Sequence, residues 1–351
     1  MNKPVVIIGG GIAGMEAAAC ISAKGREVIL LEKTGQLGGH LLQWDRLFPT
    51  RRKSSEVLRH LEKGMNDGIS VHLEAEISGI ENNNGVFIVK LSDGREFEGS
   101  ALLLSTGYSV FDARKKEEYG YGIYDNVITS AELEEFFRNN RQENLLKGIK
   151  SKRIGIVHCV GSRDEKVGNL YCSKVCCITG VKQAIEIKEL LPESEIYCFY
   201  MDLRMFDRHF EEMYYEAQQK WGIHFIRGRM SEAAENADHT LVVKVEDTLT
   251  GLPLKMTVDI LILLVGFIPS PETARLAGML GIDSGEDGFL IVEDEHFASN
   301  STSIPGVFIS GAVKGPVCIE HTITDARAAA LQVLSYLDSE IAKWRNSETV
   351  K

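Results

Sequence analysis

A glycine run set directly behind a short β-branched strand constrains this chain more than any other feature. Val5-Val6-Ile7-Ile8 reads as a strand buried on both faces, and Gly9-x-Gly11-x-x-Gly14 follows it without a gap. A small-residue helix over residues 13–23 comes next, beginning at Ala13 and ended by Gly25. Gly9 permits the tight turn, Gly11 lets backbone approach a pyrophosphate, and Gly14 lets the helix pack on the strand. The helix N–H groups and dipole then favour negative charge at that point. Residues 27–31 form the next strand, and Glu32 at its end is placed to hydrogen-bond a ribose hydroxyl. A ligand-free glycine turn would require none of this context, so the pattern predicts a dinucleotide site.

The remaining chain is long enough for a second domain, at 351 residues. Residues 70–104 read as an antiparallel meander with turns at Asn82–Gly85 and Ser92–Gly94, closing in a buried strand from Ala101 to Ser105. A polar connection over about residues 109–150 holds a helix from Ser130 to Arg138, with Ser130 as its N-cap. A second alternating block follows: strands over 153–158, 195–200 and 222–226, helices over 176–190 and 207–220, and a meander ending at 259–265. From Gly266 the chain returns to the first domain, adding a strand over 307–310 and a helix over 322–337. The expected fold class is α/β: a discontinuous domain (1–148 and 266–351) with a similarly built insertion (149–265).

A net charge of −11 argues against nucleic-acid or anionic-membrane partners. The longest apolar run, Ile260 to Phe267, suits a buried strand and no membrane insertion. Val5–Ile8 runs straight into the glycine loop, unlike a signal peptide, so a cytoplasmic location is expected. Thiols stay reduced there, and the clustered ones among seven cysteines call for a metal or redox explanation.

Several further stretches resemble the two-dinucleotide-binding-domain flavoproteins, the thioredoxin-reductase-like fold. Glu32-Lys33 leads to Gly38-Gly39-His40, which resembles the loop lying against FAD in that family. Leu102 to Gly107, with Thr106 and Gly107 at its end, resembles their strand ending near the cofactor, and Asp259 to Gly266 its counterpart in the inserted domain. Ile304 to Gly311 resembles the late strand that meets the flavin ribityl chain, although Ala312 stands where an aspartate is usual. The same resemblance implies that Ile77 offers backbone to the adenine. FAD is therefore the expected dinucleotide; His40 and His321 are candidate neighbours of its ring.

The insertion lacks a second glycine fingerprint. Val157-His158-Cys159-Val160-Gly161-Ser162-Arg163 stands in its place, and Cys172, Cys176 and Cys177 follow. Four thiolates from one loop and a helix start can bind [4Fe–4S] or zinc. A redox disulfide, or a buried strand thiol with three cysteines packing a helix end, remain alternatives. Adjacent cysteines suit two cluster corners better than a zinc tetrahedron. Cys20, Cys198 and Cys318 have no partners in sequence, and Cys20 is expected in the core.

With Lys182 in Thr179-Gly180-Val181-Lys182-Gln183-Ala184, this cysteine pattern resembles the flavoprotein core of the heterodisulfide reductase A-subunit (HdrA) family, over residues 4–335. Gly120-Tyr121-Gly122, Asn126 to Ser130 and Gly311 to Pro316 support the match. The resemblance implies a [4Fe–4S] cluster on Cys159, Cys172, Cys176 and Cys177, with Lys182 near the flavin as a tuning residue; a solvated helix lysine is the plainer alternative. It also implies a homodimer associated with other subunits of the complex. The chain departs from methanogen-type versions in lacking ferredoxin segments and in reading Gly315-Pro316-Val317-Cys318 where they carry a lysine. An anionic reduced flavin loses support there, so electron bifurcation is not expected. The compact form is similar to subunits of heterodisulfide-reductase-like complexes of sulfur-oxidising bacteria. The alternatives are an NAD(P)H-dependent disulfide reductase and a subunit of a quinone-interacting oxidoreductase.

Overall fold

A computed structural model describes residues 3–139 and 152–349, with the side chains of the last helix described as far as residue 340. Two parallel sheets carry the chain. In chain order their strands are β1 (Val5–Ile8), β2 (Val28–Leu31), β3 (Ile69–His72), β4 (Ala101–Leu104), β5 (Val127–Thr129), β6 (Arg153–Val160), β7 (Glu195–Tyr200), β8 (His224–Arg227), β9 (Ile260–Val265) and β10 (Val307–Ile309). The helices are α1 (Ile12–Ser22), α2 (Ser54–Gly64), α3 (Ser130–Arg138), α4 (Cys176–Leu190), α5 (Phe210–Gln219), α6 (Pro271–Leu280) and α7 (Ile319–Thr349). The chain divides into two compact units, one of residues 1–42, 55–109 and 268–351, the other of residues 43–54 and 110–267.

The first unit has the strand order β10-β4-β1-β2-β3, every neighbour parallel. Its central strand β1 is buried throughout, which its unbroken β-branched sequence permits. Ala13, Ala17 and Ala18 of α1 share a core cluster with Ala326, Ala329 and Ala330 of α7; such small side chains allow close packing. The stretch over 70–104 is not the single antiparallel meander expected from its turns. Residues 69–72 join the parallel sheet, because the α2 crossover brings them beside β2. Only Ile77–Gly99 is antiparallel, with turns at the two expected places.

The second unit has the order β5-β9-β6-β7-β8, again all parallel. The boundary expected at 148/149 lies outside the described residues. The described chain contributes to this unit from residue 110, since β5 pairs with β9 (Val127 opposite Leu261) and α3 follows at once. Residues 43–54 also belong here, as a hairpin pairing Arg46 with Lys53. The α3 cap is Thr129 rather than Ser130. Thr129 Oγ1 accepts from the Glu132 amide at 3.2 Å and Glu132 Oε2 accepts from the Thr129 amide at 2.7 Å, a reciprocal capping box. Ile178, Val181, Ala184 and Ile185 of α4 are fully buried in the core of this sheet.

Candidate functional site

In the first unit the glycines do the work their spacing suggests. Gly9 has φ +109° and a Cβ there would stand 2.4 Å from the Ser105 carbonyl oxygen; one on Gly14 would stand 1.8 Å from that of Gly9. Gly11 differs, since a Cβ on it meets nothing of the chain closer than the Gly39 Cα at 4.0 Å. The second glycine loop closes on the first, with the Gly38 amide donating to the Gly10 carbonyl at 2.8 Å and Gly39 at φ +54°. Helix α1 starts at Gly11 with no side-chain cap and no acidic residue in its first turn. A side-chain-free cradle thus faces uncapped helix amides, which fits a pyrophosphate.

Glu32 is buried, and its carboxylate organises the loop. Oε2 accepts from the Gly10 amide at 2.6 Å, and Oε1 accepts from the amide and hydroxyl of Thr34, both at 2.8 Å. A carboxylate has about four lone-pair positions, so capacity for a ribose hydroxyl remains. Lys33 is exposed beside it. His40 stacks on Tyr108 with ring centroids 4.2 Å apart, its Nε2 lying 3.0 Å from the Tyr108 carbonyl. Thr106 Oγ1 pairs with Thr273 Oγ1 at 2.6 Å, and Gly107 has φ +70° with open space beside it. The neighbouring Ser105 hydroxyl is buried without a partner. The Ile77 carbonyl accepts from Arg275 Nη1 at 2.5 Å.

Gly311, at φ +76°, packs against Ala13 at the start of α1, with Ala312 buried beside it. Its amide donates to Asp325 Oδ2 at 2.7 Å, and Asp325 also accepts from Asn300, Ser310 and Lys314. Sequence reasoning missed Asp325, because an aspartate within a helical run gives no sign that it fastens a distant loop.

The second unit gathers the cysteines at the carboxyl end of β6 and the start of α4. Three non-glycine residues there lie in the left-handed region, Cys159 (φ +60°), Arg163 (φ +54°) and Lys174 (φ +58°). Backbone of this kind is held by its surroundings and gathers at functional sites. The loop is fastened throughout. The Arg163 amide donates to the Tyr171 carbonyl at 2.9 Å, Tyr171 Oη to the Phe267 carbonyl at 2.9 Å, and the Phe267 amide to Ser173 Oγ at 2.9 Å. Buried Asp164 accepts from Lys116 Nζ and Arg229 Nη2, each at 2.6 Å.

Cys159, Cys176 and Cys177 come together, the Cys176 thiol hydrogen-bonding both others. Those bonds lower the Cys159 and Cys177 thiols against the effect of burial and raise Cys176, with His158 further lowering Cys177. His158 is buried against Gly180 with neither ring nitrogen hydrogen-bonded, close enough to the Cys177 thiol to act on it electrostatically. Cys172 arrives on the loop, its Sγ accepting from the Lys174 amide at 3.2 Å, and the charge of Arg163 reaches both Cys159 and Cys172. Among the described residues no three of these four sulfurs lie within 4.8 Å of one another. The donor set is four cysteines with Cys176 and Cys177 adjacent in sequence, which fits a polynuclear iron–sulfur centre better than zinc, whose paired ligands leave a gap of about two to four residues. Cys198 is a fully buried core thiol, and Cys20 is only half-buried on α1.

Lys182 is not a solvated lysine. It is 2% exposed on α4, ion-paired with Glu134, donating to the Arg46 carbonyl at 2.8 Å and lying 3.4 Å from Glu186. Burial pushes the Glu186 carboxyl up to about 7, against the pull of Lys182. Glu134 and Arg46 come from distant parts of the chain and carried no local signal, whereas Glu186 lies one helical turn on from Lys182.

The chain is similar to two relatives named heterodisulfide reductases. It is 30% identical over 416 residues to the A-subunit of the H(2):CoB-CoM heterodisulfide,ferredoxin reductase of Methanothermobacter marburgensis. It is 32% identical over 423 residues to an iron-sulfur A-subunit of the CoB--CoM heterodisulfide reductase of Methanopyrus kandleri. Each alignment takes in 94% of this chain, which spans 63% of the length of either relative. In fold it is similar to the thioredoxin reductase of Lactococcus lactis (TM-score 0.66, 19% identity, 96% of this chain and 99% of that one). The thioredoxin reductase of T. acidophilum is alike (TM-score 0.65, 20% identity, 96% and 98%). No helix among the described residues is long and apolar enough to cross a membrane. A family profile matches residues 1–126 and 177–332, leaving out the loop that carries Cys159, Cys172 and Cys176. By that match the chain belongs to the pyridine nucleotide-disulphide oxidoreductase family, an oxidoreductase family.

Proposed function

We propose that the chain is an electron-transfer subunit that carries FAD on its first unit and a [4Fe–4S] centre on its second. The observation that supports this best is the strained, fully fastened loop that gathers Cys159, Cys176 and Cys177 and brings in Cys172. When bound, the flavin would supply two-electron and the cluster one-electron redox chemistry. The backbone of Gly9, Gly11, Ala13, Gly14, Gly38 and Gly39 would hold the pyrophosphate, and Glu32 the ribose. Lys33, His40, Ile77, Thr106, Gly107, Gly311 and Ala312 would line the rest of the flavin. The four cysteines would hold the iron. No side chain is assigned a proton step. As a flavin-tuning residue Lys182 would act only through its field, which Glu134 and Glu186 mute.

The likeness to subunits of heterodisulfide reductases supports other subunits of such a complex as partners; a homodimer belongs to the same proposal. Thiol, disulfide or persulfide oxidation in the cytoplasm, without bifurcation, is the role this composition fits. Anaerobic purification with iron, sulfide and flavin assays tests it: about four irons and one flavin per chain are expected. Cys172→Ser should strip iron and leave flavin. Four irons retained in that variant would remove the ligand assignment, and a colourless wild type the whole reading.

The family match and thioredoxin-reductase fold favour a second reading, an NAD(P)H-dependent disulfide reductase using two of the cysteines. The absence of a glycine fingerprint over Val157 to Arg163 speaks against it. Rapid bleaching of the flavin by NADH would decide for it.

A further inference from the structure

Arg163 joins the separate arms of the cysteine loop. It follows Cys159 by four residues, and its amide pairs with the Tyr171 carbonyl, one residue before Cys172. Its guanidinium makes a two-pronged contact with Asp202, Nη1 to Oδ1 at 2.5 Å and Nη2 to Oδ2 at 2.9 Å. Asp202 lies just after β7, where its carbonyl accepts from the Cys177 thiol at 3.8 Å. From the same strap the Arg204 amide reaches Cys177, and Arg204 Nε lies 3.5 Å from Asp202 Oδ1. The Arg163 and Asp202 side chains are 22% and 44% exposed. A pair so wet adds little to stability, whereas a left-handed non-glycine backbone is costly. Stability alone does not account for an arginine at this position.

The geometry points to Arg163 as a positioning residue of the metal centre: through Asp202 it clasps the strap over Cys177, and it sets a fixed positive charge beside Cys159 and Cys172. The inference rests on the reading that the four cysteines hold an iron–sulfur cluster. Each electron added to such a centre increases its negative charge, so a guanidinium held close favours the reduced form and raises the potential. The Asp202 carboxylate opposes that effect while it holds the fork in place. Charge and clasp are therefore separable.

The test uses the full chain with flavin and iron bound, purified without oxygen. Wild type, Arg163→Gln, Arg163→Lys and Asp202→Asn are compared by dithionite titration followed by paramagnetic resonance, and by the rate at which a ferrous chelator removes iron. Arg163→Gln should lower the midpoint potential of the iron centre and Asp202→Asn should raise it, with the flavin couple unmoved in both. Arg163→Lys keeps the charge and should keep the potential, but it lacks the planar fork. All three variants should lose iron about two- to fivefold faster than wild type. Potentials that move in the same direction for Arg163→Gln and Asp202→Asn, or that do not move, overturn the inference while leaving the cluster in place. A wild type without iron overturns the cluster reading and this inference with it.

Discussion

Gly11 and Gly39 oppose each other backbone to backbone: a Cβ on Gly39 would stand 3.2 Å from the Gly11 Cα, while one on Gly11 would meet nothing closer than 4.0 Å. Gly11 also has φ −78°, which any residue adopts, so only a ligand would object to a side chain there. Gly11→Ala should therefore fold with stability within about 0.5 kcal/mol of wild type and lose flavin affinity more than about tenfold. Gly14→Ala should instead lose about 3 kcal/mol or more, because its Cβ would overlap the Gly9 carbonyl. Circular dichroism melts and flavin absorbance separate the two. Flavin bound normally by Gly11→Ala would move the pyrophosphate elsewhere.

What the sequence made legible was local. The strand, glycine turn and helix at Val5 to Ser22 follow from neighbouring residues, and the structure has them within a residue or two of expectation. The α3 cap was also there to be read, since Thr129-x-x-Glu132 is a capping box one residue ahead of the expected cap. What could not be read depends on residues that meet only after folding. Lys116 and Asp164 are 48 positions apart, Arg163 and Asp202 39, and Lys182 and Glu134 48. Nothing in either member's surroundings names the other. The same holds for β5, whose short run joins the second sheet only because β9 offers it an edge.

Lys182 is buried between two carboxylates, and removing it alone takes the ion pair from Glu134 and leaves Glu186 only the weaker pull of Arg46. Lys182→Met should cost about 3–5 kcal/mol in the stability of the second unit. Adding Glu134→Leu and Glu186→Leu to it should recover most of that loss, since an apolar replacement of a whole buried cluster is often close to neutral. Denaturant titration of the single and triple variants measures both. A triple variant as unstable as the single one would show that packing, not charge, dominates there.

Glu186 predicts a pH effect of definite sign. Its folded-state carboxyl is pushed up to about 7, above the ordinary glutamate value of about 4.3. The stability this shift contributes is fully present below about pH 4.3 and is lost as pH rises through about 7. Glu186→Gln removes the penalty for ionising in the core. The variant should gain about 1–2 kcal/mol over wild type at pH 8 and nothing at pH 4. Melting temperatures across that range test it, and an equal shift at both ends would assign the effect to packing.

Asp164 gives the opposite slope. Burial alone would raise its carboxyl, but the Lys116 hydrogen bond and the charges of Arg229 and Lys116 outweigh burial and hold it below the ordinary range. A group so depressed stabilises the fold above about pH 3.9, and that contribution is lost as pH falls through its folded value. Asp164→Asn should therefore flatten the acid limb of the stability curve. Lys116→Met leaves Arg229 as the remaining counter-charge and should cost about 2–3 kcal/mol at pH 7, less than a fully orphaned carboxylate. Because Asp164 also anchors the turn at Lys166 and the bridge to Asn169, the damage should spread to the Cys172 arm. Hydrogen exchange should then quicken over residues 164–174 in both variants while β1 and α1 keep wild-type protection. Uniform loss of protection across the chain would mean that the ion pair supports the fold at large rather than this loop.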